Sequence, residues 1–193
     1  MKLAVVTLSC AVAVVALAEV ARGEPRFDFF GGVSIGAGIG SGGVEDSDDV
    51  SPTLAIRGGG FATPSLALYL EGWQRKSSML PPVDVCVDNQ ALGAGARAWP
   101  GWGWTWGAAA VGVSRRSVGG QGDCFDTEFK RNAGVWSSAT AGVDIVRARQ
   151  FSIDVSARLN LEYYPEAFES FADDEATSSV FVATYALELG VAF

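Results

Sequence analysis

The stretch Phe181 to Phe193, FVATYALELGVAF, reads with a period of two. Phe181, Ala183, Tyr185, Leu187, Leu189, Val191 and Phe193 form one set; Val182, Thr184, Ala186, Glu188, Gly190 and Ala192 form the other. Successive side chains of a strand point to opposite faces, so this alternation marks a β-strand with one apolar face. The same pattern precedes it. Phe151, Ile153, Val155, Ala157, Leu159, Leu161 and Tyr163 alternate with Ser152, Asp154, Ser156, Arg158, Asn160 and Glu162. Both segments outrun the usual soluble strand of about five or six residues. They suit a tilted strand crossing a bilayer, which takes about 9–11 residues.

Six more segments follow on working outward. Phe27, Phe29, Val33, Ile35 and Ile39 share a face opposite Asp28 and Ser34. Leu54 and Ile56 oppose Arg57; Leu66, Leu68 and Leu70 oppose Tyr69, Glu71 and Trp73. Leu92, Ala94, Ala96 and Ala98 oppose Arg97, and Val135, Ala139, Ala141, Val143 and Ile145 oppose Asp144. Residues 104–115 form a fifth strand whose facing no charge fixes. Short candidate turns at 62–65, 99–103 and 147–150 alternate with long polar loops at 41–51, 77–90, 117–128 and 165–178. Short turns at one end and long loops at the other are the pattern of a transmembrane barrel. Aromatics gather at both strand ends: Phe27, Phe61, Trp99, Trp102, Trp104, Phe151 and Phe193 at the turn end, Trp73, Phe129, Tyr163 and Phe181 at the loop end. They are expected to form two interfacial girdles.

The first residues read as an address. Lys2 precedes an apolar run from Leu3 to Ala18, ending in Ala16-Leu17-Ala18. The run is shorter than the ~20 residues a spanning helix needs. It fits a secretory signal over residues 1–18, with cleavage after Ala18 or as late as residue 23. The barrel domain then occupies 24–193.

On these features the chain resembles the OmpA/OmpX-like family of small eight-stranded outer-membrane barrels. The resemblance is architectural and covers essentially all of residues 24–193. It implies an all-β, up-and-down antiparallel barrel with short periplasmic turns and long extracellular loops, in the outer membrane of a Gram-negative-type bacterium. The closing strand looks like the family's assembly signal, with Phe193 last and Val191, Leu189, Leu187 and Tyr185 at alternate positions before it. Gly190 stands closer to the end than that signal usually places its glycine. The implied partners are the barrel-assembly machinery, outer-membrane lipid and lipopolysaccharide, and the expected state is a monomer. A soluble eight-stranded periplasmic barrel that binds a ligand is the competing reading.

Eight strands enclose an interior just wide enough for side chains to fill. Arginine facing lipid at midplane costs several kcal/mol, so the strand charges are expected inside. They are Asp28, Arg57, Glu71, Arg97, Asp144, Asp154, Arg158, Glu162 and Glu188. Arginines clamping carboxylates would make a polar, salt-bridged plug with acids in surplus. A narrow cation-preferring pore is the alternative. At the loop-end strand tips Arg75, Lys76, Arg115, Arg116, Lys130 and Arg131 are expected to form a basic belt that meets glycolipid phosphates.

The 193 residues contain 14 basic and 22 acidic side chains, and the four loops carry 14 of those acids. Such a balance argues against nucleic acid. Without Lys2 the processed chain would hold 13 bases against 22 acids, a net charge of -9. Asp46, Asp48 and Asp49 hint at a loose divalent site, but the calcium-loop spacing is absent. After Cys10 leaves with the signal, Cys86 and Cys124 remain in adjacent loops. An even count in an exported chain suggests one disulfide, worth a few kcal/mol in the chain-entropy model. No enzyme and no cofactor is expected. There is no histidine, so no Ser-His-Asp triad, HExxH helix or histidine base can form. Gly32-Val33-Ser34-Ile35-Gly36 matches G-x-S-x-G, and Gly38 to Gly43 matches G-x-G-x-x-G. The first lies within a strand and the second runs into acids instead of a helix, so neither carries its usual chemistry. The expected role is therefore structural or interactive, at the cell envelope.

Overall fold

The computed structural model describes residues 29–41, 50–79, 85–100, 103–119, 129–148, 151–167 and 178–193. The expected signal segment, Asp28, Phe27, Trp102, most of the four loops and Cys124 lie outside these residues. Eight strands run in order: β1 Phe29–Ser41, β2 Val50–Thr63, β3 Leu66–Met79, β4 Val85–Ala98, β5 Thr105–Gly119, β6 Phe129–Arg147, β7 Ser152–Ala167 and β8 Ser178–Ala192. Each pairs antiparallel with the next and β8 pairs with β1, closing the barrel. At the seam, Gly32 stands opposite Ala192 and Ser41 opposite Ala183. Below them Gly31 N–H donates to the Phe193 carbonyl at 2.7 Å, and Phe193 N–H returns the bond at 2.9 Å. Closure leaves no sheet edge, which is what lets a sheet stand in hydrocarbon.

The faces are inverted relative to a water-soluble barrel. Ile35, Leu70, Leu92, Val113, Tyr185 and Leu187 are each more than 60% exposed. Arg57, Glu71, Arg97, Asp144, Asp154, Arg158, Glu162 and Glu188 are buried inside. An apolar band wrapping the whole outer surface fits lipid and not water. The soluble ligand-binding reading needs the opposite arrangement.

β5 now has a phase. Trp106, Ala108, Ala110, Ser114 and Arg116 point inward, while Val111 and Val113 point outward. β6 carries a bulge between Asp144 and Val146, so Ile145 and Val146 both face out. The loop expected at 77–90 is largely hairpin: Met79 pairs with Val85 and Ser77 with Val87, so the ladder climbs nine residues into that span. Polar composition there marks a strand leaving the hydrocarbon, not the end of pairing. Ala98, expected on the outer face, is buried where β4 ends, beside Trp99, whose N–H donates to the Ser65 carbonyl.

Small residues make room for large ones inside. Tyr69 sits in register between Gly59 and Gly95, and Trp106 opposite Gly142. A Cβ on Gly142 would lie within 2.9 Å of Ser156 Cβ and collide with the Trp106 ring. The glycines inside these strands are therefore packing sites for the lumen.

Candidate functional site: the charged lumen

The inward side chains form three tiers. In the middle tier Arg57 Nε donates to Glu71 Oε2 at 2.8 Å, and Arg57 Nη2 reaches Glu188 Oε2 at 3.5 Å. Arg158 Nη1 donates to Glu71 Oε1. Arg158 Nε lies 2.8 Å from Glu188 Oε1, at ion-pair distance but poorly aligned for a hydrogen bond. Ser34 Oγ adds a donor to Glu188 Oε2 at 2.9 Å. Two arginines and two carboxylates thus close a ring drawn from β2, β3, β7 and β8, with Ser34 of β1 beside it. Each carboxylate touches both arginines, so the quartet neutralises itself without water.

The turn-end tier is built the same way. Arg97 Nη2 donates to Asp144 Oδ1 at 3.3 Å and to Asp154 Oδ2 at 3.2 Å. Arg147 Nη2 donates to Asp144 Oδ2 at 2.7 Å. Arg97 also lies in an aromatic box, with its Cζ 3.6 Å from the Trp106 ring centroid, 4.8 Å from Trp99 and 5.6 Å from Phe30. Phe30, Phe61, Tyr69 and Trp99 pack against one another with centroids 5.6–6.1 Å apart. A guanidinium held by two carboxylates and three ring faces closes this end of the lumen.

The loop-end tier differs. Arg75, Asn89, Arg116 and Asn132 lie side by side on β3, β4, β5 and β6, each in register with the next. All four are buried. Arg75 crosses the lumen to within 3.4 Å of Thr184 Oγ1. Its guanidinium fills the place that a side chain on Gly40 would take. Tyr164 donates to Glu162 Oε2 at 2.6 Å, and Trp136 Nε1 donates to Asn160 Oδ1 at 3.2 Å.

No protein-family model and no curated protein matches the chain, but solved structures do. Neisserial surface protein A superposes with a TM-score of 0.56 at 13% identity, over 86% of this chain and 96% of that one. Ail, the attachment invasion locus protein of Yersinia pestis, in complex with the heparin analogue sucrose octasulfate, superposes at 0.54 with 15% identity, over 86% and 100%. The chain has the fold of the small eight-stranded outer-membrane barrels, the OmpA/OmpX-like architecture. At these identities the likeness concerns fold.

Within this outer-membrane barrel fold, several expected placements change. Arg75 and Arg116 are lumen residues, 1% and 0% exposed, and not members of an outer belt. Alternation explains it: of Arg75–Lys76 and of Arg115–Arg116, one must face in and the other out. Lys76, Arg115 and Arg131 remain exposed on the outer face, while the Lys130 side chain is outside the described ones. The expected surplus of inward acids also disappears. Arg57, Arg75, Arg97, Arg116 and Arg158 match Glu71, Asp144, Asp154, Glu162 and Glu188 among the buried described residues, five against five. Trp73 and Trp99 are interior, and Phe61 packs against the interior cluster, so these three leave the expected girdles. Phe29, Trp104, Phe151 and Phe193 are exposed toward the turn end and Phe181 toward the loop end. Of the expected disulfide pair, Cys86 is buried at the start of β4, in register with Ser78 and Gly119. Tyr185, Leu187, Leu189, Val191 and Phe193 line the outer face of the closing strand and its end.

Sequence reasoning missed the loop-end arginines because a charge pair spanning two parities gives no phase. It missed the Arg97 box because Trp99 was expected among the interface aromatics and Trp106 lies on β5, which had no assigned face.

Proposed function

We propose that this barrel works in the outer membrane as a closed envelope protein, structural or interactive, and that its contacts are made at the surface. The observation that carries this reading is the lumen. Two tiers neutralise themselves by direct ion pairs, and the turn-end tier is sealed by an arginine in an aromatic box. A conduction path would need hydrated, separated charges where the middle and turn-end tiers have paired ones. The cation-preferring pore rested on surplus inward acids, and the buried charges balance among the described residues. Purified protein in planar bilayers is expected to give no stable conductance steps. Reproducible unitary steps would overturn the closed-lumen reading.

At the loop end a basic zone on the strand tips adjoins, in the sequence, acid-rich segments. Lys76 on β3, Arg115 on β5 and Arg131 on β6 stand exposed at the loop-end tips. Phosphorylated glycolipid fits the basic zone, since guanidinium pairs well with phosphate. The acid-rich segments favour a cationic partner, opposite in sign to the heparin analogue bound by the Yersinia barrel. The Arg115→Glu, Arg131→Glu double variant is expected to fold normally and to lose at least half of the lipopolysaccharide that co-purifies with it. Retention equal to the parent protein would remove the glycolipid role of this belt.

A further inference from the structure

Arg116 is 0% exposed, and Nε, Nη1 and Nη2 all lack a hydrogen-bond partner. The other inward arginines answer to carboxylates or, for Arg75, extend to Thr184. On the neighbouring strand Asn132 stands in register with Arg116, and its Nδ2 is also buried and unpartnered. Every unmet group of this pair is a donor. The buried acid of the tier, Glu162, takes the Tyr164 hydroxyl and makes no hydrogen bond to Arg116. Two rungs of the ladder away, across Asn89, stands a second buried arginine, Arg75. One step toward the loops, Val87 and Val118 are in register and fully buried, forming an apolar cover over the row.

A guanidinium in this position has lost its hydration without gaining a hydrogen-bond acceptor, which is costly in a low-dielectric interior. A neighbouring arginine in the same row raises that cost. The arrangement calls for an acceptor that carries negative charge and takes several N–H bonds at once. We propose that the loop-end tier is an anion site, with Arg116 and Asn132 as its donors and a small inorganic oxyanion of the phosphate or sulfate type as its ligand. The fork of Arg116 supplies two parallel N–H donors, which matches the spacing of oxyanion oxygens, and Asn132 Nδ2 supplies another. Arg75 contributes charge across the lumen. A lipid headgroup is a poor candidate for this place, since the row lies inside the barrel while acyl chains lie against its outer face. The site goes beyond the proposed envelope role and stands or falls independently of it.

The test uses the full folded protein, delipidated in a phosphate-free sugar detergent. Its thermal midpoint is followed against inorganic phosphate or sulfate at constant ionic strength, with gluconate as the bulky replacement anion. A ligand that binds only the folded state raises the midpoint with its concentration. The midpoint is expected to rise with phosphate and with sulfate, and the response to weaken at least tenfold in Arg116→Gln. Asn132→Asp supplies an internal counter-charge. It is expected to raise the midpoint without added anion and to abolish the phosphate response, which keeps the test decisive if Arg116→Gln folds poorly. A parent midpoint that ignores both oxyanions would overturn the proposal and leave Arg116 to internal water. So would equal responses in the parent and in folded Asn132→Asp, or a response to lysophospholipid alone.

Discussion

Arg158→Met is expected to destabilise the folded barrel by about 3–5 kcal/mol, the range for breaking a buried ion pair by removing one partner. Arg158 has a fully buried side chain and contacts both Glu71 and Glu188. Methionine keeps the unbranched stem as far as the Nε position and removes the guanidinium, so the loss is mainly one of charge and hydrogen bonding. Without Arg158, Arg57 alone faces two carboxylates, leaving one buried acid without a counter-charge. Adding Glu71→Gln to Arg158→Met restores one base to one acid and is expected to recover a good part of the loss. The measurement is the urea midpoint of the protein refolded into lipid vesicles, read by tryptophan fluorescence. A shift equivalent to less than 1 kcal/mol for Arg158→Met would mean that water already reaches the quartet and that the lumen is wetter than its geometry implies.

Gly112→Val is expected to do more than destabilise: the folded, heat-modifiable species should be lost. Gly112 and Gly93 face each other across β5 and β4, between Glu71 on one side and Trp136 on the other. A Cβ on Gly112 would stand 2.5 Å from Gly93 Cα and overlap the Leu92 carbonyl. Both are backbone atoms, so no rotamer change can relieve the contact, and the two strands would have to separate. Gly72→Ala is the matched control. A Cβ there meets nothing within 4 Å. Its expected effect is within about 0.5 kcal/mol, as for surface substitutions generally. Cold and heated samples compared by gel migration decide the matter; a fully folded Gly112→Val band would show that the β4–β5 contact yields more easily than described.

Much of the architecture was legible from alternation alone, because a barrel in lipid leaves an unbroken period of two along each strand. Phe151 to Tyr163 and Phe181 to Phe193 displayed it with a charge on one face and large apolar residues on the other. Where a strand carried adjacent charges, the signal failed. Arg115 and Arg116 look equivalent in a sequence, yet one meets solvent and the other lies in the barrel's interior. Aromatics failed for a related reason. Trp73 and Trp99 are chemically suited both to an interfacial girdle and to a glycine-lined interior, and residue type alone does not choose between them. The pairing of Arg57 with Glu71 could be expected from inward charge; that Arg158, from the far side of the barrel, joins them depended on the closure that brings β7 and β8 round to β1.

That closure has a consequence in time. β1 finds its second neighbour only in β8, with almost all of the described chain between them. Before β8 docks, the molecule is a ribbon whose two margins carry unsatisfied backbone groups in a medium that offers them no water. The ladders between consecutive strands can form early and locally, but the Gly31–Phe193 pair can form only once, and last. Such a distant contact must overcome the entropy of the whole intervening chain before it repays any of it. An arrested ribbon therefore presents β1 as a template, and the strand best shaped to cap it is β8 of another copy.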